Sequence, residues 1–394
     1  MTSVMLFRPA RCFPRLTFAL VVLASAFMPI SEAAAAGPAP VFYRTSLPKP
    51  TGVYSVGYDS IVVVDRTRVD ALHATPGQPR RLPVHLWYPA AATCAPKRRY
   101  VTDVRERTLL DATPEALGAG DFMRTNAVNG APVAIGSFPL VLFSPGYGFS
   151  AEIYQVFAEQ LASCGYIVAA VHSPGINGLV TSDGEPYETP SDIPGSGEES
   201  KQISIVLNDY VVGDLQAVLA QIKDGRALPS RQLAKAIDLT RIGAFGHSFG
   251  GSAAVRLAGK NPEVRAAVNM DGIIWGDDHL NGLTTNALFL VSGQPGGDSS
   301  MMDAWQNLKG RGYLAVQKET AHITFSDFYY LARATSGKAA EQATDVLGRN
   351  PAANLALTRQ LLVTYFDVEL KQKPASTLLR FFDANKARIS FQRR

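Results

Sequence analysis

The pentapeptide Gly246-His247-Ser248-Phe249-Gly250 constrains this chain more than any other feature, because of what lies on either side of it. An apolar strand-like run with Ile242, Ala244 and Phe245 precedes it, and a helix-like run rich in small residues, with Ala253, Ala254 and Ala258, follows. A Gly-x-Ser-x-Gly sequence in that setting marks a sharp strand-to-helix turn that holds its serine on a strained backbone at the top of a sheet. The flanking glycines let strand and helix pass closely without Cβ clashes. Gly251 and Ser252 extend the small surface. The turn aims Ser248 at the helix N-terminus, whose unpaired N–H groups stabilise developing negative charge.

Around that turn the hydrophobic pattern alternates between strand and helix periods. Runs rich in Val, Ile, Leu and aromatics predict strands over 54–64, 82–88, 140–144, 167–172, 241–246, 266–270, 287–292 and 313–317. Amphipathic stretches predict helices over 151–163, 203–222, 249–257, 301–308, 325–334 and 352–370. A pair of opening strands followed by repeated strand-helix units implies an α/β fold with one mostly parallel sheet covered by helices on both faces. Two stretches break the rhythm. Residues 91–135 carry turn formers and no clear strand, and 174–200 are dense in Gly, Pro, Ser, Asp and Glu. The second leaves the carboxyl end of a strand, where loops surround the ligand crevice of open α/β sheets, so it is expected to roof a site.

Composition supports a large packed core, with 46% apolar and 18% charged residues over 394 positions. The formal charge of +4 draws on Arg8, Arg11 and Arg15, and it carries no nucleic-acid footprint. Those arginines precede an apolar run over 16–28 that ends in small residues near Ala36. The pattern is that of a signal peptide over 1–36, which implies a secreted or periplasmic chain with a single domain over 37–394. Removing the leader leaves Cys94 and Cys164, which fit either one disulfide or two free thiols.

A serine is a poor nucleophile at its own pKa, so it needs a base and a group to orient that base. Of the six histidines, His73 and His85 lie in the opening strands, His172 ends a strand, His247 is inside the turn and His279 falls in a loop. Only His322 follows the last predicted strand, the position of the base when the chain order is serine, acid, histidine. Two acids compete for the third role. Asp271 ends the strand after the turn helix and is followed by Gly272, whereas Asp298 follows the next strand through the glycine-rich 294–297 loop. Oxyanion donors are expected from the backbone N–H of Phe249 and from the loop Pro145-Gly146-Tyr147-Gly148-Phe149, with Tyr147 as the residue supplying the amide.

Taken together, Leu140-Val141-Leu142-Phe143-Ser144-Pro145-Gly146-Tyr147-Gly148, Gly246-His247-Ser248-Phe249-Gly250-Gly251, Asp271 and His322 resemble the platelet-activating factor acetylhydrolase family of the α/β-hydrolase superfamily. The stretch Leu82-Pro83-Val84-His85-Leu86-Trp87-Tyr88-Pro89 is similar to that family's early strand. The resemblance implies Ser248, Asp271 and His322 as a triad, an acyl-enzyme reaction on short or truncated acyl esters, phospholipids among them, and no cofactor or metal. No His/Asp/Glu set has metal-ligand spacing in the sequence either. Pro145 stands where the family has His, and 174–200 differs from the family's segment, so the reaction carries over further than the substrate. A polyester- or cutinase-type hydrolase shares the same turn and leader, and a catalytically dead binding module is the remaining alternative. Phe325, Phe328, Tyr329 and Tyr330 offer either a lipid-surface contact or packing against the sheet. The sequence leaves oligomeric state open.

Overall fold

Alternate side chains of the central strands enter two separate apolar layers. Along Phe138–Ser144, Leu140 and Leu142 enter one layer while Val141 and Phe143 enter the other, as a period of two dictates for a strand covered on both faces. The computed structural model describes residues 43–72, 75–101, 122–178, 180–182, 185–187, 193, 195, 197–225, 227–278, 280–294 and 299–394. The expected leader, His73, His279 and Asp298 lie outside the described residues, as do 102–121 of the first irregular stretch and much of 174–200.

Among the described residues the main sheet has ten strands. In chain order they are β1 (Ser55–Val69), β2 (Pro79–Ala90), β3 (Ala127–Asn129), β4 (Phe138–Ser144), β5 (Ile167–Val171), β6 (Ile237–His247), β7 (Val264–Met270), β8 (Asn286–Ser292), β9 (Gly312–Gln317) and β10 (Ile389–Arg393). Across the sheet the order is β10-β9-β8-β7-β6-β4-β5-β2-β1-β3. The six strands from β9 to β5 run parallel. β2 is antiparallel to both β1 and β5, and β10 closes the far edge antiparallel to β9.

The longer helices are α1 (Gln155–Ser163), α2 (Gly197–Lys223), α3 (Phe249–Lys260), α4 (Ser299–Asn307), α5 (Phe328–Ser336), α6 (Pro351–Glu369) and α7 (Ser376–Ala384). Their buried residues sort by face. α1, α5, α6 and α7 share one apolar layer, and α2, α3 and α4 share the other. The α/β architecture read from the sequence is therefore the one observed. α2 is long and apolar enough to cross a bilayer, but it packs on α3 and the sheet.

Three expectations need correction. The predicted 151–163 helix opens as a 3-10 turn, Ala151–Tyr154, because Asp327 takes its hydrogen bonds: the Asp327 N–H donates to the Ile153 carbonyl and its carboxylate accepts from the Val156 N–H. The predicted 325–334 helix is α5, shifted to Phe328–Ser336 because Phe325 closes the preceding 3-10 turn, His322–Phe325. The 91–135 stretch is not strandless, since it contributes the edge strand β3 and Met123–Arg124. Cys94 and Cys164 are both free thiols. In the aromatic run, Phe325, Tyr329 and Tyr330 are buried, and the half-buried Phe328 packs edge-on against Phe149, so packing accounts for it.

A buried ion cluster ties α2 to the opening strands. Arg80 on β2 meets both carboxylate oxygens of Asp214 on α2, at 2.7 and 2.8 Å, and Asp70 at 2.9 Å; Arg68 reaches Asp214 at 2.7 Å. Asp214→Ala leaves the wholly buried Arg80 without its bidentate partner, and breaking such a pair from one side costs ~3–5 kcal/mol. Urea unfolding of that variant is expected to show a loss in this range, with Glu198→Ala on the exposed start of α2 as the near-neutral control.

Candidate functional site

Ser248 stands between β6 and α3 with φ 54° and ψ −122°. A side chain other than glycine in that region stores ~1–3 kcal/mol of strain. The backbone around it supplies the compensation. The Ser248 N–H donates to the Met270 carbonyl at 2.8 Å, and the Ser248 carbonyl accepts from Gly251 and Ser252 at 2.9 and 3.3 Å. At ~1 kcal/mol net for each hydrogen bond, these offset the strain. The turn also needs its glycines for space. A Cβ on Gly246 would meet the Gly250 carbonyl oxygen at 2.2 Å, and one on Gly250 would meet the Ser144 carbonyl oxygen at 2.1 Å. β4, β6 and α3 can approach this closely only with hydrogen at those two positions.

Asp271 repeats the device one strand further on. It follows β7 with φ 55°, and its N–H donates to the Leu290 carbonyl at 2.7 Å. Asn269 brackets the turn by accepting from the Gly272 N–H and donating to the Gly272 carbonyl, both at 2.8 Å. The two carboxylate oxygens then have separate tasks. Oδ1 accepts from the Ser292 N–H at 2.7 Å, and Oδ2 is 2.8 Å from His322 Nδ1. Burial works to raise the Asp271 pKa, but the His322 ring and the Ser292 amide outweigh it and hold the carboxyl below its ordinary value. Asp271 is thus ionised at neutral pH, and Nδ1 of His322 carries the proton it shares. In the neutral imidazole with that tautomer, Nε2 is the acceptor nitrogen.

His322 opens the 3-10 turn after β9, where Thr324 accepts from the Ala321 N–H and donates to the Leu347 carbonyl. Its backbone is tied to the serine turn itself. His247 Nε2 is 3.0 Å from the His322 carbonyl oxygen, and His247 Nδ1 is 2.8 Å from the Tyr154 hydroxyl. Since a carbonyl only accepts, Nε2 is the protonated nitrogen of His247, and Tyr154 donates to Nδ1. Burial, with the adjacent His322 ring, pushes the His247 pKa well below its usual value, so this imidazole stays neutral. Tyr154 also accepts from the Gly146 N–H at 3.4 Å. One hydrogen-bonded chain therefore links the Tyr147 loop to the backbone of His322. On the other side, Asn208 of α2 donates to the Phe249 carbonyl at 2.9 Å and is itself met by Arg256.

Ser248, Asp271 and His322 line a single cavity of about 390 Å3 together with Tyr147 and Phe249. Ile193, Ile273, Trp275, Val291 and Met301 make the rest mostly apolar. The structure thus brings together every site residue read from the sequence except Asp298, which lies outside the described residues. Ile193 comes from the 174–200 stretch expected to roof the site. Sequence reasoning missed the bracketing role of Asn269, whose position two residues before Asp271 is an Asx-turn signal. It also missed Tyr154 and Asn208, which no local pattern marks.

The fold and this turn define the class: the chain belongs to the alpha/beta hydrolase family, whose model matches residues 141–387. A second model, platelet-activating factor acetylhydrolase, isoform II, matches residues 40–175, so the resemblance drawn from the motifs holds beyond them. Among curated proteins, a probable 1-alkyl-2-acetylglycerophosphocholine esterase of Arthroderma benhamiae is 30% identical over 48% of this chain and 49% of its own length. The platelet-activating factor acetylhydrolase of Cavia porcellus is 24% identical over 78% of this chain and 74% of its own. The match thus spans about half of the first relative and three quarters of the second. Among solved structures, a ferulic acid esterase from Streptomyces cinnamoneus aligns with a TM-score of 0.76 and 27% identity, over 89% of this chain and all of the other.

His247→Phe unpairs the Tyr154 hydroxyl and the His322 carbonyl and also forces a larger ring into a fully buried position, which costs a further ~1–3 kcal/mol, whereas Tyr154→Phe unpairs His247 Nδ1 and the Gly146 N–H without overpacking. Each buried group left unpaired costs ~1–3 kcal/mol. Thermal unfolding is expected to rank wild type above Tyr154→Phe, and Tyr154→Phe above His247→Phe.

Proposed function

We propose that this chain is a serine hydrolase that cleaves carboxylic esters, with Ser248 as nucleophile, His322 as general base and acid, and Asp271 as the group that orients the imidazole. The observation that carries the reading is the single cavity lined both by Ser248 and by a histidine whose Nδ1 is held by a carboxylate at 2.8 Å. In this reading His322 Nε2 takes the proton as Ser248 Oγ attacks the ester carbonyl. The backbone N–H groups of Phe249 and Tyr147 receive the tetrahedral oxyanion, with the positive end of α3 behind them. His322 then protonates the departing alcohol, and water repeats the sequence on the acyl-enzyme. The neutral His247 acts through the His322 backbone and takes no part in proton transfer.

The substrates proposed are short or truncated acyl esters, including those of platelet-activating-factor-like phospholipids. Support comes from the small apolar cavity, at the lower end of the ~300–1,000 Å3 typical of small-molecule sites, and from the acetyl-ester relatives. The chain is proposed to act outside the cytoplasm as one hydrolase domain over 37–394 once the segment 1–36 is removed.

Two measurements test this. Ser248→Ala is expected to lower kcat on p-nitrophenyl acetate by on the order of 10^4- to 10^6-fold with unfolding unchanged, and to abolish labelling by a fluorophosphonate. Full labelling of the variant refutes Ser248 as nucleophile, and an unlabelled wild type favours the binding-module reading. For the substrate class, kcat/KM across p-nitrophenyl esters is expected to fall as the acyl chain lengthens, with acetylated phospholipid cleaved and polyester film left intact. Preference for the film moves the assignment to a cutinase-type hydrolase.

A further inference from the structure

Three side chains distant in sequence converge behind the loop that carries Tyr147. His85 lies on β2, His172 follows β5, and Glu152 lies on the 3-10 turn Ala151–Tyr154. Glu152 Oε1 is 3.0 Å from His85 Nδ1, and Oε2 is 3.8 Å from His172 Nε2. One ligand atom from each residue lies within 4.8 Å of the other two. All three are more than nine-tenths buried, at 8, 2 and 3% exposure for His85, Glu152 and His172. Neither oxygen of Glu152 and neither ring nitrogen of His172 has a hydrogen-bond partner.

Such a set is expensive as it stands. An imidazole always has at least one N–H to donate, a carboxylate has two oxygens to satisfy, and a buried group left unpaired costs ~1–3 kcal/mol, more when charged. A proton on His85 Nδ1 would be shared between Oε1 and the Tyr58 hydroxyl. It leaves Oε2 and both His172 nitrogens as they were. Arg98 adds positive charge nearby, but its guanidinium donates to Gln155, to the Tyr100 carbonyl and to the Tyr58 hydroxyl. A divalent cation among Glu152, His85 Nδ1 and His172 Nε2 satisfies an atom of each at once.

We propose that His85, Glu152 and His172 bind one Zn2+ ion, which fastens β2, the end of β5 and the 3-10 turn together behind the Tyr147 loop. Two imidazole nitrogens and one carboxylate oxygen form a zinc donor set, whereas calcium and magnesium favour all-oxygen sites. Tetrahedral zinc with bonds of ~2.0–2.1 Å sets its donor atoms about 3.3 Å apart. The observed 3.0 and 3.8 Å bracket that spacing, so side-chain adjustment of a few tenths of an ångström suffices for those two pairs. The Tyr58 hydroxyl, 2.6 Å from His85 Nδ1 and accepting from Arg98, has to release that nitrogen when zinc takes it, and water fills the fourth position. The site stands apart from the ester-cleaving residues and its existence does not depend on them.

The test is zinc counting by mass spectrometry after chelator stripping and dialysis of the full chain against Zn2+. Wild type is expected to retain one zinc per chain and to melt at a higher temperature with zinc than without. His172→Gln and Glu152→Gln are expected to weaken binding by at least the ~10- to 100-fold typical of losing even an outer partner. A combined Cys94→Ser, Cys164→Ser and His322→Asn chain, which leaves the three ligands intact, should still hold one zinc, and this arm decides the question even where the buried variants fail to fold. No zinc on wild type, loss of zinc from the combined chain, or full retention by a folded His172→Gln chain overturns the proposal.

Discussion

The hydrogen bond between His322 Nδ1 and Asp271 Oδ2 fixes which nitrogen of the histidine is held by the carboxylate, and much of the surrounding fold serves to place its two ends. The carboxylate follows a parallel strand on a backbone turn that few residues tolerate, and the imidazole begins a 3-10 turn one strand beyond its neighbour. Neither turn is stable by its own propensity. Each is over-determined by main-chain hydrogen bonds to adjacent strands, so the strain at Ser248 and Asp271 is met by the sheet itself. That explains why both positions lie at the carboxyl edge of parallel strands: only there do neighbouring strand ends offer free carbonyls and amides pointing past the last ladder rung.

A second line of bonds adds rigidity across the cavity. Gly146, Tyr154, His247 and the His322 carbonyl form a chain that crosses from the Tyr147 loop to the far strand, with each link buried and neutral. Because His247 cannot gain a proton cheaply in that place, its donor and acceptor sides stay fixed, and the His322 backbone receives a constant hydrogen bond as pH changes around neutrality. The histidine within the serine turn thus differs in kind from the histidine that shares the cavity, although a sequence motif contains both residue types without distinction.

Much of this was legible in the sequence because the parallel strands are covered on both faces. They appear as uninterrupted apolar runs, and every central strand was placed within a few residues. The Ser248 turn was legible through its glycines, whose absence of Cβ is a packing requirement rather than a preference. The edges were less so. β3 and β10 have little to bury, and in β10 only Ile389 is enclosed, so no hydrophobic period marks it. The helix boundaries at Tyr154 and Phe325 were hidden because they depend on Asp327 and Thr324, whose partners lie across the fold. His85, Glu152 and His172 are the extreme case, since spacing along the chain carries no trace of three residues that meet only when β2 and β5 pair.

The same distinction governs how far a relative's chemistry can be carried to this chain. Ser248, Asp271 and His322 are positioned by strand ends, and strand ends are set by the register of the whole sheet, so their placement depends on the core rather than on the loops. The residues that shape the acyl cavity come from elsewhere: Ile193 from the stretch before α2, Ile273 and Trp275 from the segment after Asp271, and Met301 from α4. These segments bear on no ladder, and one changes without disturbing the others. An acetyl-ester relative and a ferulic acid esterase can therefore share the parallel core while differing in what fills the pocket. In this chain Trp275 packs against Phe249, and Phe249 against Tyr147, so the wall of the cavity rests on the two residues whose amides face the reacting carbonyl in the proposed mechanism. In that mechanism a change at Trp275 that widens the cavity also loosens the side that receives the oxyanion, so the two properties are coupled through the Trp275–Phe249–Tyr147 ring contacts.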